Sequence, residues 1–164
     1  KFKDYFLGCG IQGDREEFQR MYEHFYRLVV YRGIKPVIYP RVSEVLRRLH
    51  AQNRIIAIVS SHPAGNLKKE AMDYGVDSYI SLFCGDSNDK TEDLARVCRH
   101  FDRVPQETAY VGDTPNDMRC AKRAGVLPIA VLGGYKTEED PRTETEFVIR
   151  NLSELPELIL SSRQ

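Results

Sequence analysis

Two aspartates four residues apart offer the clearest chemistry in this chain. Asp113 follows the apolar run 109–111 and a glycine, and Asp117 comes four residues later. A short apolar run with β-branched residues is typical of a buried parallel strand. Ligands of open α/β sheets bind at the carboxyl ends of such strands, and carboxylate oxygens suit Mg²⁺. The spacing therefore indicates a magnesium site formed by Asp113 and Asp117.

The same segment has a second interpretation, as the start of a helix. Thr114 fits the N-cap position, and Pro115 is tolerated as the first helical residue. Asp117 lies three residues after the cap, where its charge suits the helix dipole. This alternative explains Asp117 without a metal ion, but it leaves an aspartate at the end of a buried strand without a role. On this segment alone, both interpretations stay open.

Polar side chains also follow the two preceding strands. Ser60 and Ser61 come after the apolar run 55–59, where hydroxyl and backbone N–H groups can hold phosphate oxygens. The alternative for these serines is a simple cap on the next helix. Lys90 opens a helix after the polar loop 85–89, and a lysine there can act as a point charge on a phosphoryl group. Its alternative is a solvated surface lysine.

The elements that must position these residues alternate along the chain from residue 37 onwards. Such alternation predicts the α/β class, with a doubly wound parallel sheet covered by helices on both faces in three layers. A helical segment with apolar residues at helical spacing from Phe18 to Val30 precedes it, and the boundary is expected near residues 36–40. The predicted strands are 55–59, 79–83, 109–111, 128–132 and 147–149, and the predicted helices of the core are 42–49, 67–74, 91–101, 116–124 and 152–160.

Composition narrows the class of protein. The 164 residues suffice for one ordinary domain, and 24 basic against 24 acidic residues give a net charge of zero. This balance gives no reason to expect a nucleic acid or an anionic membrane as a partner. No apolar run approaches the ~20 residues of a membrane span, and no signal peptide is recognisable. The four cysteines lack zinc spacing, so we expect reduced thiols in a cytoplasmic protein.

These features together resemble the haloacid dehalogenase (HAD) superfamily, in its phosphoglycolate phosphatase-like branch. Motif II of the family is matched by Ile55 to Ser60, motif III by Lys90, and motif IV, GDxxxD, by Gly112 to Asp117. The resemblance covers residues 37–160. It implies a HAD-like, Rossmann-like core over residues 37–164, preceded at residues 1–36 by the remnant of a helical cap.

The family's first motif, DxDGT, has no counterpart, since no DxD occurs in the sequence. In the family this motif supplies the nucleophile and the general acid, and its strand lies between those predicted here at 55–59 and 109–111. A sheet that lacks its central strand leaves unpaired backbone groups on both neighbours. We therefore expect an upstream segment that carries this strand and the start of the cap. The alternatives are a strand from a partner chain, a rewired sheet or a degenerate homologue.

The resemblance implies a Mg²⁺-dependent phosphatase that hydrolyses a small phosphate monoester through an aspartyl-phosphate. Asp113 would hold Mg²⁺, and Asp117 would ligate the ion or orient its shell. Ser60, Ser61 and Lys90 would bind the phosphoryl group. Lys90 would also restrain the nucleophile, so Lys90 and Asp113 are the expected catalytic residues. A phosphomutase of the same superfamily, and an inactive module that binds phosphate or Mg²⁺ or acts as a regulator, are the alternatives.

The expected partner is a small phosphorylated metabolite, with neither nucleic acid nor membrane, and the protein is expected to be a monomer or homodimer. The substrate stays open among phosphoglycolate, sugar phosphates, nucleotides and pyrophosphate. His62 is interpreted as an ordinary loop histidine, with a substrate contact as the alternative. The aromatic residues of the N-terminal helix are interpreted as packing, with a mobile lid as the alternative.

Overall fold

The computed structural model describes residues 10–33, 37–133 and 140–161 of the chain. Contacts divide the chain into two compact units, residues 1–38 and 39–164. The assignment of residues 1–36 to a cap and of residues 37–164 to a catalytic core stays a prediction.

The first unit contains one long helix, α1, at Arg15–Tyr31. Asp14 and Glu17 begin it with reciprocal bonds: the backbone N–H of each donates to the carboxylate of the other, at 2.8 and 2.9 Å. Such a pair satisfies two of the free N–H groups of the first turn. Phe18 is buried, whereas 62% of Phe25 is exposed. The expected packing role therefore fits Phe18 and not Phe25.

The second unit alternates helices and parallel strands, as predicted for the α/β class. Short 3₁₀ turns lie at Asp77–Tyr79, Pro105–Glu107, Pro141–Thr143 and Leu152–Glu154. The main elements are α2 (Val42–Ala51), β1 (Ala57–Val59), α3 (Ala64–Asp73), β2 (Leu82–Cys84), α4 (Lys90–His100), β3 (Ala109–Gly112), α5 (Pro115–Ala124), β4 (Leu127–Val131), β5 (Val148–Ile149) and α6 (Leu155–Ser161).

The strands form two parallel ladders in the described part of the chain. β1 pairs with β2, and β3, β4 and β5 pair in that order. The Tyr110 side chain links the two ladders. Its hydroxyl, on β3, donates to the Val59 carbonyl at the end of β1, at 3.2 Å. The sequence predicts a single sheet, whereas the described strands form two ladders with no backbone pairing between β1 and β3. The central strand expected there stays a prediction.

Two apolar clusters hold the second unit together, and each joins strands to its own pair of helices. A fully buried aliphatic side chain stabilises a fold by about 1.5–3 kcal/mol, so each cluster anchors its helices firmly. The cluster of α4 and α5 consists of Val59, Cys84, Leu94, Val97, Cys98, Ala121 and Val126. The cluster of α2 and α6 consists of Val45, Leu49, Ile129, Val131, Ile149 and Leu155.

The second strand begins later than predicted. The sequence favours a strand over 79–83, but a 3₁₀ turn occupies Asp77–Tyr79 and β2 is Leu82–Cys84. The backbone N–H of Ile80 still closes this turn on the Asp77 carbonyl, at 3.0 Å. Pairing with the first strand begins only at Ser81, whose N–H donates to the Ile56 carbonyl at 2.8 Å. The apolar residues of 79–83 did not indicate where the 3₁₀ turn ends and the strand begins.

The cysteines that the structure describes are buried free thiols, at Cys84, Cys98 and Cys120. Cys9 lies outside the described residues. Cys84 and Cys98 belong to the apolar cluster of α4 and α5, which fits their expected role as core filler. Among the described residues, no helix is long and apolar enough to span a membrane.

Candidate active site

Lys90 forms the centre of the candidate site. It is the first residue of α4, and Asp89 caps that helix by accepting a hydrogen bond from the Thr91 backbone N–H at 2.9 Å. The Lys90 ammonium lies 2.7 Å from Oδ1 of Asp117. The two side chains are only 13% and 5% exposed, so the alternative of a solvated surface lysine is wrong. The role of Lys90 in binding a phosphoryl group stays a prediction.

Asp117 serves both the helix start and Lys90. The Thr114 hydroxyl accepts a hydrogen bond from the Asp117 backbone N–H at 3.2 Å. It donates to Oδ2 of Asp117 at 2.7 Å, and the Thr114 backbone N–H donates to the same oxygen at 3.3 Å. The predicted helix start with Thr114 as N-cap is therefore confirmed. It coexists with the ion pair to Lys90, because each partner uses a different carboxylate oxygen.

The electrostatics keep both charges present at neutral pH. Burial acts to raise the pKa of Asp117, but the Lys90 charge and the hydrogen bonds from Lys90 and Thr114 lower the pKa below its ordinary value. Burial acts to lower the pKa of Lys90, but Tyr110 and Asp117 raise this pKa above its ordinary value. The pair is therefore an ammonium and a carboxylate, and not two neutral groups.

Gly112 makes room for this pair. A Cβ at Gly112 would fall 2.5 Å from the Asp117 Cβ and 2.9 Å from its Cγ. Carbon atoms in contact normally stay about 3.5–4 Å apart. The glycine of the GDxxxD motif is therefore required because the Asp117 side chain lies directly against the β3 backbone.

Asp113 directly follows β3 and has a tyrosine as neighbour. The Tyr39 hydroxyl lies 3.5 Å from Oδ2 of Asp113, a long hydrogen bond. Burial raises the pKa of Tyr39, and the Asp113 charge raises it further. The phenol therefore stays protonated and donates to the carboxylate. Tyr39 lies before Pro40, outside the predicted elements, and no sequence signal pointed to this contact.

The Ser60 turn is attached to the neighbouring loop by its backbone. The Ser60 N–H donates to the Cys84 carbonyl at 2.9 Å, and the Ser87 N–H donates to the Ser60 carbonyl at 3.0 Å. The Ser60 hydroxyl accepts a hydrogen bond from the His62 backbone N–H at 3.1 Å. The turn with Ser60 and Ser61 is thus fixed to the loop that leads to Lys90. The phosphate-binding roles of both serines stay predictions.

His62 points toward α3. Its Nε2 lies 3.1 Å from Oε1 of Glu70, and both side chains are about one-fifth exposed, at 20% and 21%. The His62 carbonyl accepts the Asp86 N–H at 2.8 Å, which adds another bond between the two loops. This geometry gives His62 a structural partner. A contact of His62 with substrate stays the alternative.

Asp113 has the chemistry of one Mg²⁺ ligand. Asp113 offers carboxylate oxygens at the carboxyl end of β3, and hard oxygen donors are the ligands that Mg²⁺ prefers. Both oxygens of Asp117 already accept hydrogen bonds, from Lys90 and from Thr114, which suits orientation of the metal shell better than direct ligation. In the described ranges, no group of three or more His, Cys, Asp or Glu side chains is placed to hold a metal.

Comparison with known proteins decides the family. The family model described as haloacid dehalogenase-like hydrolase matches residues 2–131, which is most of the chain. The chain belongs to the haloacid dehalogenase-like hydrolase family. The resemblance seen in the sequence is therefore confirmed. The residues that match motifs of this family are Ser60, Lys90, Asp113 and Asp117.

Curated relatives place this hydrolase in the phosphatase branch. The chain is 27% identical over 154 residues to a phosphoglycolate phosphatase from Vibrio vulnificus, covering 90% of the chain and 67% of that protein. It is 26% identical over 126 residues to a phosphoglycolate phosphatase from Salmonella typhimurium, covering 74% of the chain and 49% of that protein. The expected phosphatase class is confirmed. The upstream segment that we expect to carry the first motif stays a prediction.

Solved structures share the fold of this hydrolase. A predicted phosphatase from Clostridium acetobutylicum matches with a TM-score of 0.83 and 16% identity, over 98% of the chain and 77% of that protein. The 3-deoxy-D-manno-octulosonate 8-phosphate phosphatase from Moraxella catarrhalis, solved with magnesium and phosphate ions, matches with a TM-score of 0.62 and 22% identity, over 78% of the chain and 72% of that protein. These likenesses confirm the doubly wound α/β architecture.

Proposed function

We propose that this chain carries most of the core of a Mg²⁺-dependent phosphatase that hydrolyses a small phosphate monoester. The observation that carries this proposal is the ion pair of Lys90 and Asp117, placed where β2 and β3 end and four residues from Asp113. Phosphoglycolate is the first candidate substrate, because the curated relatives described above are phosphoglycolate phosphatases.

Lys90 and the Ser60 turn would bind the phosphoryl group. The ammonium keeps its charge at neutral pH, so it can neutralise a phosphoryl oxygen as a point charge. The hydroxyl of Ser60 can rotate to donate its proton to a second oxygen while its own oxygen still accepts the His62 N–H. Two donors held on rigid loops orient the group and stabilise the charge that develops during transfer.

Asp113 is the residue expected to hold Mg²⁺, with Asp117 orienting the shell. When bound, Mg²⁺ supplies Lewis-acid neutralisation of the phosphoryl oxygens. Tyr39 donates to Oδ2 of Asp113, which helps to fix the orientation of this carboxylate. The resemblance to the family implies that an aspartate of its first motif attacks phosphorus and that water then hydrolyses the aspartyl-phosphate. The residues described here would bind and orient the group during both steps.

The decisive experiment is a phosphatase assay of the full-length protein with and without Mg²⁺. The substrates are phosphoglycolate, a sugar phosphate, a nucleotide, pyrophosphate and an aryl phosphate. Turnover that requires Mg²⁺ is expected for at least one ester, and Asp113→Asn is expected to lower kcat by about a hundredfold or more. Asp73→Asn is the matched control, since Asp73 is a 53% exposed aspartate of α3.

The outcomes separate the functions that the family allows. Unchanged turnover in Asp113→Asn would contradict the assigned role of this carboxylate. Transfer of the phosphoryl group to a second position of a sugar phosphate, and not to water, would identify a phosphomutase instead. Absence of turnover for every ester, at any Mg²⁺ concentration, would contradict the phosphatase proposal as a whole.

A further inference from the structure

Tyr110 occupies a position that the proposed function does not yet use. It lies on β3 two residues before Gly112, and alternate residues of a strand share one face. Its hydroxyl donates to the carbonyl oxygen of Val59 at 3.2 Å, and Val59 is the residue directly before Ser60. Tyr110 therefore connects the end of β3 to the base of the Ser60 turn.

The same tyrosine contacts Lys90. The Lys90 ammonium lies 5.8 Å from the centroid of the Tyr110 ring, within the range of a cation–π interaction. Burial raises the pKa of Tyr110 to about 12, although the Lys90 charge and its hydrogen bond to the phenol oppose this rise. The phenol is therefore neutral, with its proton directed to the Val59 carbonyl oxygen.

Lys90 is thus held from two sides. Asp117 accepts one N–H of the ammonium at 2.7 Å, and the Tyr110 ring lies on another side, with its centroid 5.8 Å from the ammonium. An ammonium group has three N–H donors, so the donors that Asp117 does not accept can serve a ligand. A lysine side chain is long and flexible, and two fixed contacts restrict it to one position before any ligand arrives.

We propose that Tyr110 is a positioning residue for phosphate recognition, which holds the Lys90 ammonium and the Ser60 turn in one fixed relation. This inference rests on the proposed function, in which Lys90 and Ser60 bind the same phosphoryl group. Tyr110 acts on the phosphoryl side of the site, so its contribution should be the same for every ester, whatever the leaving group.

The test removes the hydroxyl and keeps the ring, with Tyr110→Phe in the full-length protein. The probe is inorganic phosphate, measured as a competitive inhibitor, together with KM for two esters with different leaving groups. The variant loses the hydrogen bond that ties Tyr110 to the base of the Ser60 turn, and with it the fixed position of the ring beside Lys90. We therefore expect the inhibition constant and both KM values to rise by one common factor of about tenfold. Tyr79→Phe is the matched control, because Tyr79 stacks edge-on against His50 and lies outside the site.

A second measurement follows Lys90 itself. With ¹³C,¹⁵N-lysine, the exchange of ammonium protons with water can be followed by NMR, and the Lys90 signal is identified by its loss in Lys90→Arg. We expect about several-fold faster exchange at Lys90 in Tyr110→Phe and no change in Tyr79→Phe. If Tyr110→Phe is poorly folded, Tyr110→Met provides a second variant, with the larger effect expected because the ring is lost as well.

The outcomes distinguish a failure of the positioning role of Tyr110 from a failure of the phosphatase proposal. Unchanged phosphate inhibition in a well-folded Tyr110→Phe, or a KM effect confined to one ester, would overturn the positioning role while leaving the phosphatase proposal intact. A wild-type protein without turnover on any ester would refute the phosphatase proposal, and the exchange rate of Lys90 would still show whether Tyr110 holds the ammonium. An additive effect of Tyr110→Phe on phosphate affinity in a Lys90→Gln background would also overturn the inference.

Discussion

Gly112 and Asp117 approach each other more closely than any other residue at position 112 would allow. A Cβ at Gly112 would lie 2.5 Å from the Cβ of Asp117, so the Asp117 side chain fills the space that a side chain on β3 would occupy. This contact places the Asp117 carboxylate against the strand end, where Lys90 reaches it at 2.7 Å. The glycine therefore determines the position of the ion pair.

Gly112→Ala should displace Asp117 and weaken its bond to Lys90. Overpacking of a tight contact costs about 1–3 kcal/mol, so the free energy of unfolding should fall by about that amount. Turnover of the phosphate ester should fall as well. Gly65→Ala is the control, since a Cβ at Gly65 meets no atom within 4 Å and helix α3 should gain about 0.5–1 kcal/mol. Denaturant unfolding of both variants measures these changes, and equal stability of the two would contradict the argument.

The Lys90–Asp117 pair should behave as one energetic unit. Lys90→Met leaves a buried carboxylate without its counter-charge, and such a loss typically costs about 3 kcal/mol or more. A double-mutant cycle with Asp117→Asn should give a coupling of about 1–3 kcal/mol in denaturant unfolding. The control cycle uses Lys69 and Asp73, an exposed pair at 3.4 Å for which we expect about 0.5 kcal/mol or less. Similar coupling energies for the two pairs would show that burial does not strengthen the interaction of Lys90 with Asp117.

The pH dependence of this coupling follows from the two pKa shifts. The folded-state pKa of Asp117 lies below 3.8, so its contribution is present above pH 3.8 and is lost as the pH falls through the folded value. The folded-state pKa of Lys90 lies above 10.5, so its contribution is present below pH 10.5 and is lost as the pH rises through the folded value. The coupling should therefore be constant between these limits. Unfolding measured across this interval would reveal any change, and a change near neutrality would contradict both assignments.

Local patterns in the sequence located the strand ends that carry the site. Ser60, Lys90 and Asp113 each follow an apolar run, and the fold places all three after β1, β2 and β3 as predicted. The helix start at Thr114 was also predicted, because a capping residue, Pro115 and an acidic residue follow one another in the chain. Such signals depend on neighbouring residues only.

Contacts between distant residues could not be predicted in this way. Lys90 and Asp117 are 27 residues apart, and Tyr39 and Asp113 are 74 apart, so no local pattern joins them. The ion pair with Asp117 also explains why Lys90 is buried, against the alternative of a solvated surface lysine. Alternation along β3 places Tyr110 on the same face as Gly112, but it does not identify Val59 or Lys90 as neighbours of Tyr110.

Thr114 should couple the stability of α5 to the position of Asp117. Its hydroxyl accepts the Asp117 N–H at 3.2 Å and donates to Oδ2 at 2.7 Å, so Thr114→Ala removes a helix cap and a support of the carboxylate together. Loss of such a cap costs about 1 kcal/mol, and KM for the ester should rise because Lys90 loses its fixed partner. Thr114→Ser retains the hydroxyl and should restore both values. Denaturant unfolding and steady-state kinetics measure the two effects, and a serine variant as impaired as the alanine variant would show that the Thr114 methyl group, and not the hydroxyl, carries the role.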